Sequence, residues 1–239
     1  MIRIGLIHEE VLRIYKSQNT LVFPIEPCNL ASNFPNLRMM TYQQYAEWND
    51  CSMERVIRTC KSKFGCTHYD PPNDRYLILW NEDTADNNVL GRQRWTKAHE
   101  LGHVALKHLP MTAAKQMSRD GFYSKHDKEL EDEADYFAAL LLCPWALFRQ
   151  LYVDSPADIE NIFGLSEMAA NLRWGEYVRW RKCKRAPEEL RWADRMRSIY
   201  RLRERAGRLE HPNFRYKGFR RSGVTVWKEP DESLSERLG

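Results

Sequence analysis

The sequence predicts an α+β fold that is mainly helical, with a small antiparallel sheet packed against one helix and further helices towards the C-terminus. Apolar residues recur at helical spacing over most of the chain. Strand-forming residues are instead concentrated in Thr67–Asp70 and Arg75–Trp80, on either side of the turn-like sequence Asp70–Asp74. A chain of 239 residues, 43% of them hydrophobic, is long enough for one buried core and an extension.

The N-terminal part is predicted to form short helices ahead of this hairpin. Residues 6–17 carry apolar side chains at helical spacing, and Thr41–Phe64 shows a looser form of the same pattern. The first residues include glutamates and have no small-residue cleavage signature, so no secretory signal is predicted. No apolar run approaches the roughly 18 residues of a membrane span. We therefore expect a cytoplasmic protein with no membrane partner.

Two longer helices are predicted in the middle of the chain. The first covers about Val89–Leu109 and ends before Pro110, because proline cannot continue a helix without losing a hydrogen bond. The second covers about Lys128–Cys143 and ends at Pro144. Its nearly continuous apolar stretch must be buried, so this helix is expected to belong to the core.

Two further helices, separated by a glycine turn, are predicted at Asp158–Phe163 and Ser166–Arg181, with Ser166 as the N-cap of the second. Their spacing is similar to that of a helix-turn-helix, although two helices packed at the edge of a domain are the commoner arrangement. Residues 187–206 are predicted to continue as a charged helix, and the remaining tail has the composition of a short hairpin.

Positive charge is concentrated near the C-terminus. Residues 173–221 contain 17 lysines and arginines against six acidic residues, a net charge of +11, whereas the whole chain carries +4. Such asymmetry predicts an acidic or nucleic-acid partner for this region, although a solvated basic helix is the commoner explanation.

The cysteines are predicted to be reduced thiols. There are six of them, and no export signal accompanies them. They also lack the pair spacing of common zinc modules, so their spacing does not predict a structural zinc site. The six are Cys28, Cys51, Cys60, Cys66, Cys143 and Cys183.

The sequence His99-Glu100-Leu101-Gly102-His103 predicts a metal site inside the first long helix. Two histidines four residues apart lie one helical turn apart on the same face, so both can bind one ion. Zinc accepts such neutral nitrogen ligands. Glu100 then lies beside the metal, where it can take a proton from a bound water and pass it to a leaving amine. We expect Glu100 to be the general base and not a ligand.

A catalytic zinc normally has three protein ligands, so a third must come from outside this motif. Glu131 lies on a helical stripe that continues into the buried stretch, and it is preferred as the third ligand to Glu133, which is about 200° away around the helix. Glu133 is expected to be a solvated charge or part of a salt bridge. Asp135 is placed one turn after Glu131, where it can hold the tautomer of a ligating histidine. His108 and His126 are expected to be exposed, and of two alternative roles, substrate contact is preferred for them to metal ligation.

These two segments together resemble the ImmA/IrrE family of metallopeptidases. Members show an Arg-aromatic-Thr-x-Ala-His-Glu-x-Gly-His segment, which residues 94–103 fit. They also show a Glu-x-x-Ala-Asn/Asp-x-Phe-Ala segment that closes in Leu-Leu-x-Pro, which residues 131–144 fit. The resemblance covers about residues 75–182. Members often have a further histidine where Lys107 stands here, and the tail beyond Lys182 has no counterpart.

The resemblance implies a zincin-like core, with Zn²⁺ bound by His99, His103 and Glu131 and with Glu100 as general base. Manganese or iron also suits a His-His-Glu site, because ligand type only biases the choice of metal. The implied substrate is a helix-turn-helix repressor, whose cleavage or inactivation relieves repression in a mobile element or stress response.

On this basis we divide the chain into a metallopeptidase domain over residues 1–182 and a basic C-terminal extension over residues 183–239. The first domain includes the helix-turn-helix-like pair at residues 157–182. The alternative function is a non-proteolytic regulator that binds DNA or a repressor through residues 173–221.

Overall fold

The computed structural model describes residues 2–82, 90–109 and 125–210, with the side chains of the last range described from residue 128. The helices are α1 (Ile4–Ser17), α2 (Tyr42–Trp48), α3 (Met53–Cys60), α4 (Leu90–Ala105), α5 (Lys125–Leu142), α6 (Pro156–Phe163), α7 (Glu167–Lys182) and α8 (Pro187–Arg205). The strands are β1 (Leu21–Val22), β2 (Leu37–Thr41), β3 (Gly65–Asp70), β4 (Arg75–Trp80) and β5 (Leu209–Glu210). The fold is α+β and mainly helical, which confirms the predicted class.

Strands β2, β4 and β3 form one sheet with β4 in the centre. β3 and β4 pair antiparallel across the short turn Pro71–Asn73, and this pair is the predicted hairpin. β2, which was not predicted, pairs parallel to β4, so the sheet is mixed and not purely antiparallel. β3 runs in the direction opposite to β2, and the hairpin turn then reverses the chain again. β4 therefore runs in the same direction as β2.

The central strand β4 faces two hydrophobic clusters. Ile78 is fully buried in the main core. Its neighbour Leu79 is fully buried in a smaller cluster with Tyr42 of α2 and Val56 of α3. Successive side chains of a strand point to opposite faces, so one face of the sheet packs on α2 and α3 and the other on α4. The sheet thus fixes the position of the helix that carries the histidine motif.

Helices α4 and α5 are in close contact through Gly102. A Cβ atom at this position would lie 3.1 Å from the Cα atom of Ala134 and 3.1 Å from a ring carbon of Phe137. Such distances are tighter than ordinary van der Waals contact, so any other residue would push the two helices apart. Glycine therefore allows α5 to bring its carboxylates next to the histidines of α4.

The apolar stretch of α5 is buried in the main core, as predicted, and α1 packs against it. Tyr15 donates a hydrogen bond to the carbonyl oxygen of Leu141 at 2.9 Å. Helix α8 packs against α1 and buries Trp192, Met196 and Tyr200 in the same core. Residues 187–205 thus contribute to the core beside residues 1–182, although the sequence division assigns them to the basic extension.

Helices α6 and α7 are separated by Gly164, whose φ of +60° lies in the left-handed region that glycine adopts without strain. The hydroxyl of Ser166 accepts a hydrogen bond from the backbone N–H of Ala169, which confirms the predicted N-cap. Arg94 of α4 donates to the carbonyl oxygen of Gly164 at 2.6 Å. This bond ties the helix pair to the helix with the histidine motif.

Some predictions fall outside the described residues, among them the tail hairpin beyond residue 210 and the side chain of His126. No helix in the described ranges is long and apolar enough to cross a membrane.

Candidate metal centre

His99, His103 and Glu131 converge at the contact between α4 and α5. The Nε2 atoms of the two histidines are 3.1 Å apart. Oε2 of Glu131 lies 3.1 Å from Nε2 of His99, and its Oε1 lies 3.5 Å from Nε2 of His103. Ligands at about 2.0–2.1 Å from a tetrahedral zinc are separated by about 3.3–3.4 Å. The three side chains therefore have the spacing of ligands around a single ion.

Asp135 fixes the tautomer of His99. Its Oδ1 lies 2.9 Å from Nδ1 of His99. An ionised carboxylate can only accept hydrogen bonds, so Nδ1 carries a proton and Nε2 is the nitrogen that faces the centre. Burial lowers the pKa of His99, but the hydrogen bonds with Asp135 and Glu131 outweigh it and raise the pKa to about 10. The carboxylates thus give the imidazole a strongly anionic environment, which also attracts a cation.

His103 is oriented by a second histidine. Nδ1 of His108 lies 2.9 Å from Nδ1 of His103, and Nε2 of His108 lies 3.0 Å from Oε2 of Glu133. Since Glu133 accepts the Nε2 proton, Nδ1 of His108 is an acceptor and Nδ1 of His103 donates to it. In this neutral tautomer, Nε2 of His103 has a free lone pair towards the centre. Burial and the neighbouring His103 lower the pKa of His108 to about 4, which keeps its ring neutral.

The prediction that His108 is exposed is wrong, since only 1% of the residue is accessible. Lys107 has a left-handed φ of +56°, which ends α4 and turns the chain so that the next side chain points back at His103. A histidine five residues after His103 does not share its helical face, so periodicity gave no signal for this contact.

Glu133 completes the support for His103 from the buried side. It is 2% exposed and forms a two-point ion pair with Arg3, with its Oε2 2.6 Å from Nη2 and its Oε1 3.0 Å from Nε. Burial raises the pKa of Glu133, but the hydrogen bonds from Arg3 and His108 outweigh it and keep the pKa below its usual value. Of the two expectations for Glu133, the salt bridge is confirmed and the solvated charge is wrong.

Glu100 lies between the cluster of His99, His103 and Glu131 and strand β3, and 9% of the residue is exposed. Thr67 of β3 donates a hydrogen bond to Oε2 of Glu100 at 2.6 Å. The close approach depends on Gly65, where a Cβ atom would lie 2.6 Å from a methyl carbon of Thr96 and 3.5 Å from Cγ of Glu100. Thr67 thus holds the Glu100 carboxylate in place, a contact that no sequence pattern indicated.

The cluster is open on the side of α5. The side chains of Glu131 and Asp135 are 55% and 58% exposed, whereas those of His99 and His103 are 18% and 12% exposed. The histidines are therefore enclosed by protein while the carboxylates line an open edge.

Residues 57–175, about half of the chain, match the family model described as the IrrE N-terminal-like domain. The chain belongs to this family, the ImmA/IrrE metallopeptidases. The match contains β3, β4, helices α4 to α6 and the first part of α7, and hence every residue of the cluster described above except Arg3. A comparison with curated proteins gives no match.

ImmA/IrrE proteins are metal-dependent peptidases, so family membership and the geometry indicate the same chemistry. Among the described residues, His99, His103 and Glu131 form one of two groups with the spacing of metal ligands. The second group lies on the other face of the sheet.

Proposed function

We propose that this ImmA/IrrE protein is a zinc-dependent endopeptidase in which His99, His103 and Glu131 hold the metal and Glu100 is the general base. The observation that carries the proposal is the convergence of three side chains whose ligand atoms are 3.1–3.5 Å apart, with the Nδ1 atoms of both histidines already hydrogen-bonded. Ligands whose second nitrogen is fixed in this way are typical of catalytic zinc sites.

The residues around the cluster suit the hydrolysis of a peptide bond. When bound, the metal supplies Lewis acidity, which polarises the carbonyl oxygen and makes a water more acidic. Glu100 accepts the proton of the attacking water and then delivers it to the leaving nitrogen. Because Thr67 donates to Oε2 of Glu100, Oε1 is the oxygen that takes part in this transfer. Manganese or iron suits the same ligands and is the alternative metal.

We propose that the substrate is a helix-turn-helix repressor and that its cleavage relieves repression in a mobile element or a stress response. The support is membership of a family whose proteases act on repressor proteins.

The alternative is a non-proteolytic module that binds nucleic acid through the basic region. Its support is weaker than the support for a peptidase. Several arginines of this region form ion pairs within the chain, which reduces the charge available to a partner. These pairs are Arg173 with Glu176, Arg191 with Glu188, Arg195 with Glu9 and Arg197 with Asp194. Binding of duplex DNA that weakens steeply with salt, together with full in-cell function of the Glu100→Ala variant, would support the alternative.

The proposal is tested by incubating the purified chain and Zn²⁺ with the repressor encoded by a neighbouring gene. We expect cleavage by the wild-type chain and a loss of about 10²–10⁴-fold in the Glu100→Gln variant, which keeps its metal. Asp132→Asn is the matched control, because Asp132 is an exposed carboxylate on α5. Equal cleavage by Glu100→Gln and wild type would contradict the role of Glu100.

A third possibility combines the two functions, with the basic region docking the repressor that the metal centre cleaves. A truncation at the predicted domain boundary cannot test it. Ending the chain at Lys182 would remove α8 and with it Trp192 and Met196 of the core. A variant that ends at Glu210 keeps α8 and removes only the last part of the basic region. If cleavage of the repressor is unchanged in this variant, residues 211–239 are not the dock.

A further inference from the structure

A second group of metal-binding side chains lies on the face of the sheet away from α4. Cys60 is the last residue of α3, and Cys66 and His68 lie two residues apart on β3. Side chains two residues apart on a strand point to the same face, whereas Thr67 between them points to Glu100 on the other. The helix end and the strand thus bring two thiols and an imidazole together.

The distances within this group match those of a zinc site with sulfur ligands. Nε2 of His68 lies 3.6 Å from Sγ of Cys66 and 3.9 Å from Sγ of Cys60. With Zn–S bonds of about 2.3 Å and Zn–N bonds of about 2.0–2.1 Å, a tetrahedral site has sulfur–nitrogen separations of about 3.6 Å. All three ligand atoms lie within 4.8 Å of one another.

The surroundings favour a metal ion over simple packing of two cysteines. Both cysteines are free thiols and only half-buried, and His68 is exposed, so an ion can enter from solvent. Because the thiolate form of cysteine is the one that binds metals, binding of an ion by these thiols releases their protons.

We infer that Cys60, Cys66 and His68 form a second metal site, which takes Zn²⁺ or another thiophilic divalent cation. Three protein ligands leave a fourth position for water. The spacing of the cysteines did not predict this site, because Cys60 and Cys66 do not have the close pair spacing of common zinc modules and the third ligand is a histidine. The site does not depend on the proposed peptidase function.

Cobalt binding to the full-length reduced chain distinguishes the two sites. Thiolate ligands give Co²⁺ a strong near-ultraviolet charge-transfer band, and the cluster of His99, His103 and Glu131 contains no sulfur. We expect this band in the wild-type chain and in the Glu131→Gln variant, and its loss in the Cys60→Ser and Cys66→Ser variants. Cys51→Ser is the matched control, because Cys51 packs near the same small hydrophobic cluster and should keep the band.

The exposed His68 provides a variant that should leave folding intact. His68→Ala is expected to weaken cobalt binding by more than about 10-fold, since even residues that only support a ligand contribute that much. Circular dichroism checks that each variant folds. A wild-type chain without the band, or Cys66→Ser and His68→Ala variants with wild-type cobalt affinity, would overturn the inference.

Discussion

The two groups of candidate metal ligands in the described residues are encoded in different ways. His99 and His103 lie four residues apart on one helix, so their shared face follows from helical geometry alone. Cys60 and His68 lie on a helix end and a strand, and they meet only because Lys61 adopts a left-handed φ of +53° that ends α3 before β3 begins. A periodic motif is therefore visible in sequence, whereas a site built across a turn is visible only in the fold.

The clusters also differ in how their ligands are supported. Each histidine of the α4–α5 cluster has a hydrogen-bonded partner on its far nitrogen, Asp135 for His99 and His108 for His103. The thiols of the α3–β3 cluster instead border Tyr42, whose hydroxyl donates to the carbonyl oxygen of Ser62 at 3.1 Å. Among the described residues, therefore, only in the first cluster does each histidine have a hydrogen bond that holds its far nitrogen in place.

The largest effect is expected on zinc affinity, when the acidic side chains that support the two histidines are changed. Glu133→Gln and Asp135→Asn should each lower zinc affinity by about 10–100-fold, because each removes the charge that orients a ligand. Only Glu133→Gln should also lower the melting temperature, since Glu133 is buried against Arg3 whereas Asp135 is exposed. Zinc titration and thermal unfolding measure the two effects. An equal loss of thermal stability in both variants would contradict the buried role of Glu133.

A smaller effect is expected at the strand that separates the clusters. Thr67→Val keeps the size of the side chain and removes its hydrogen bond to Glu100. A hydrogen bond to a charged group contributes about 1.5–3 kcal/mol, so kcat should fall by about 10-fold or more while zinc content stays unchanged. Steady-state kinetics on the cleaved repressor provides the measurement. Thr67→Ser should restore activity, and a Val variant as active as wild type would show that Glu100 needs no support.

The smallest effect is expected on kcat when the second cluster is changed, because β3 carries residues of both clusters. This prediction rests on the proposed peptidase function. An ion held by Cys66 and His68 restrains the backbone on both sides of Thr67. Cys60→Ser should therefore reduce kcat by less than the roughly 10-fold expected for Thr67→Val. Comparing kcat with and without Zn²⁺ in the second site measures this coupling. A Cys60→Ser variant that loses cobalt binding at unchanged kcat would separate the two clusters functionally.

Much of the fold was predictable because its central elements have strong local signals. The hairpin of β3 and β4, the cap at Ser166 and the buried stretch of α5 follow from turn residues, capping chemistry and hydrophobic patterning. The strand β2 was missed because its pairing with β4 joins segments more than 30 residues apart. Non-local pairing of this kind leaves no periodic signature in a single sequence.

The candidate site was predictable in its expected ligands and in Asp135, which contacts Nδ1 of His99, but not in the rest of its support. The expected ligands belong to two helices with clear patterns, and the structure brings them together. His108 was missed because its contact depends on the turn at Lys107, and Thr67 was missed because its contact crosses from a strand to a helix. Arg3 lies 130 residues from Glu133 in the chain, so only tertiary packing joins them.

The most direct test of the central claim is an anomalous-difference map, recorded at the zinc edge, from a crystal of the zinc-loaded chain. We predict a peak within about 2.0–2.2 Å of Nε2 of His99, Nε2 of His103 and a carboxylate oxygen of Glu131. A zinc-loaded crystal without density between these three side chains, or with the ion bound by Glu133 in place of Glu131, would contradict the proposed centre.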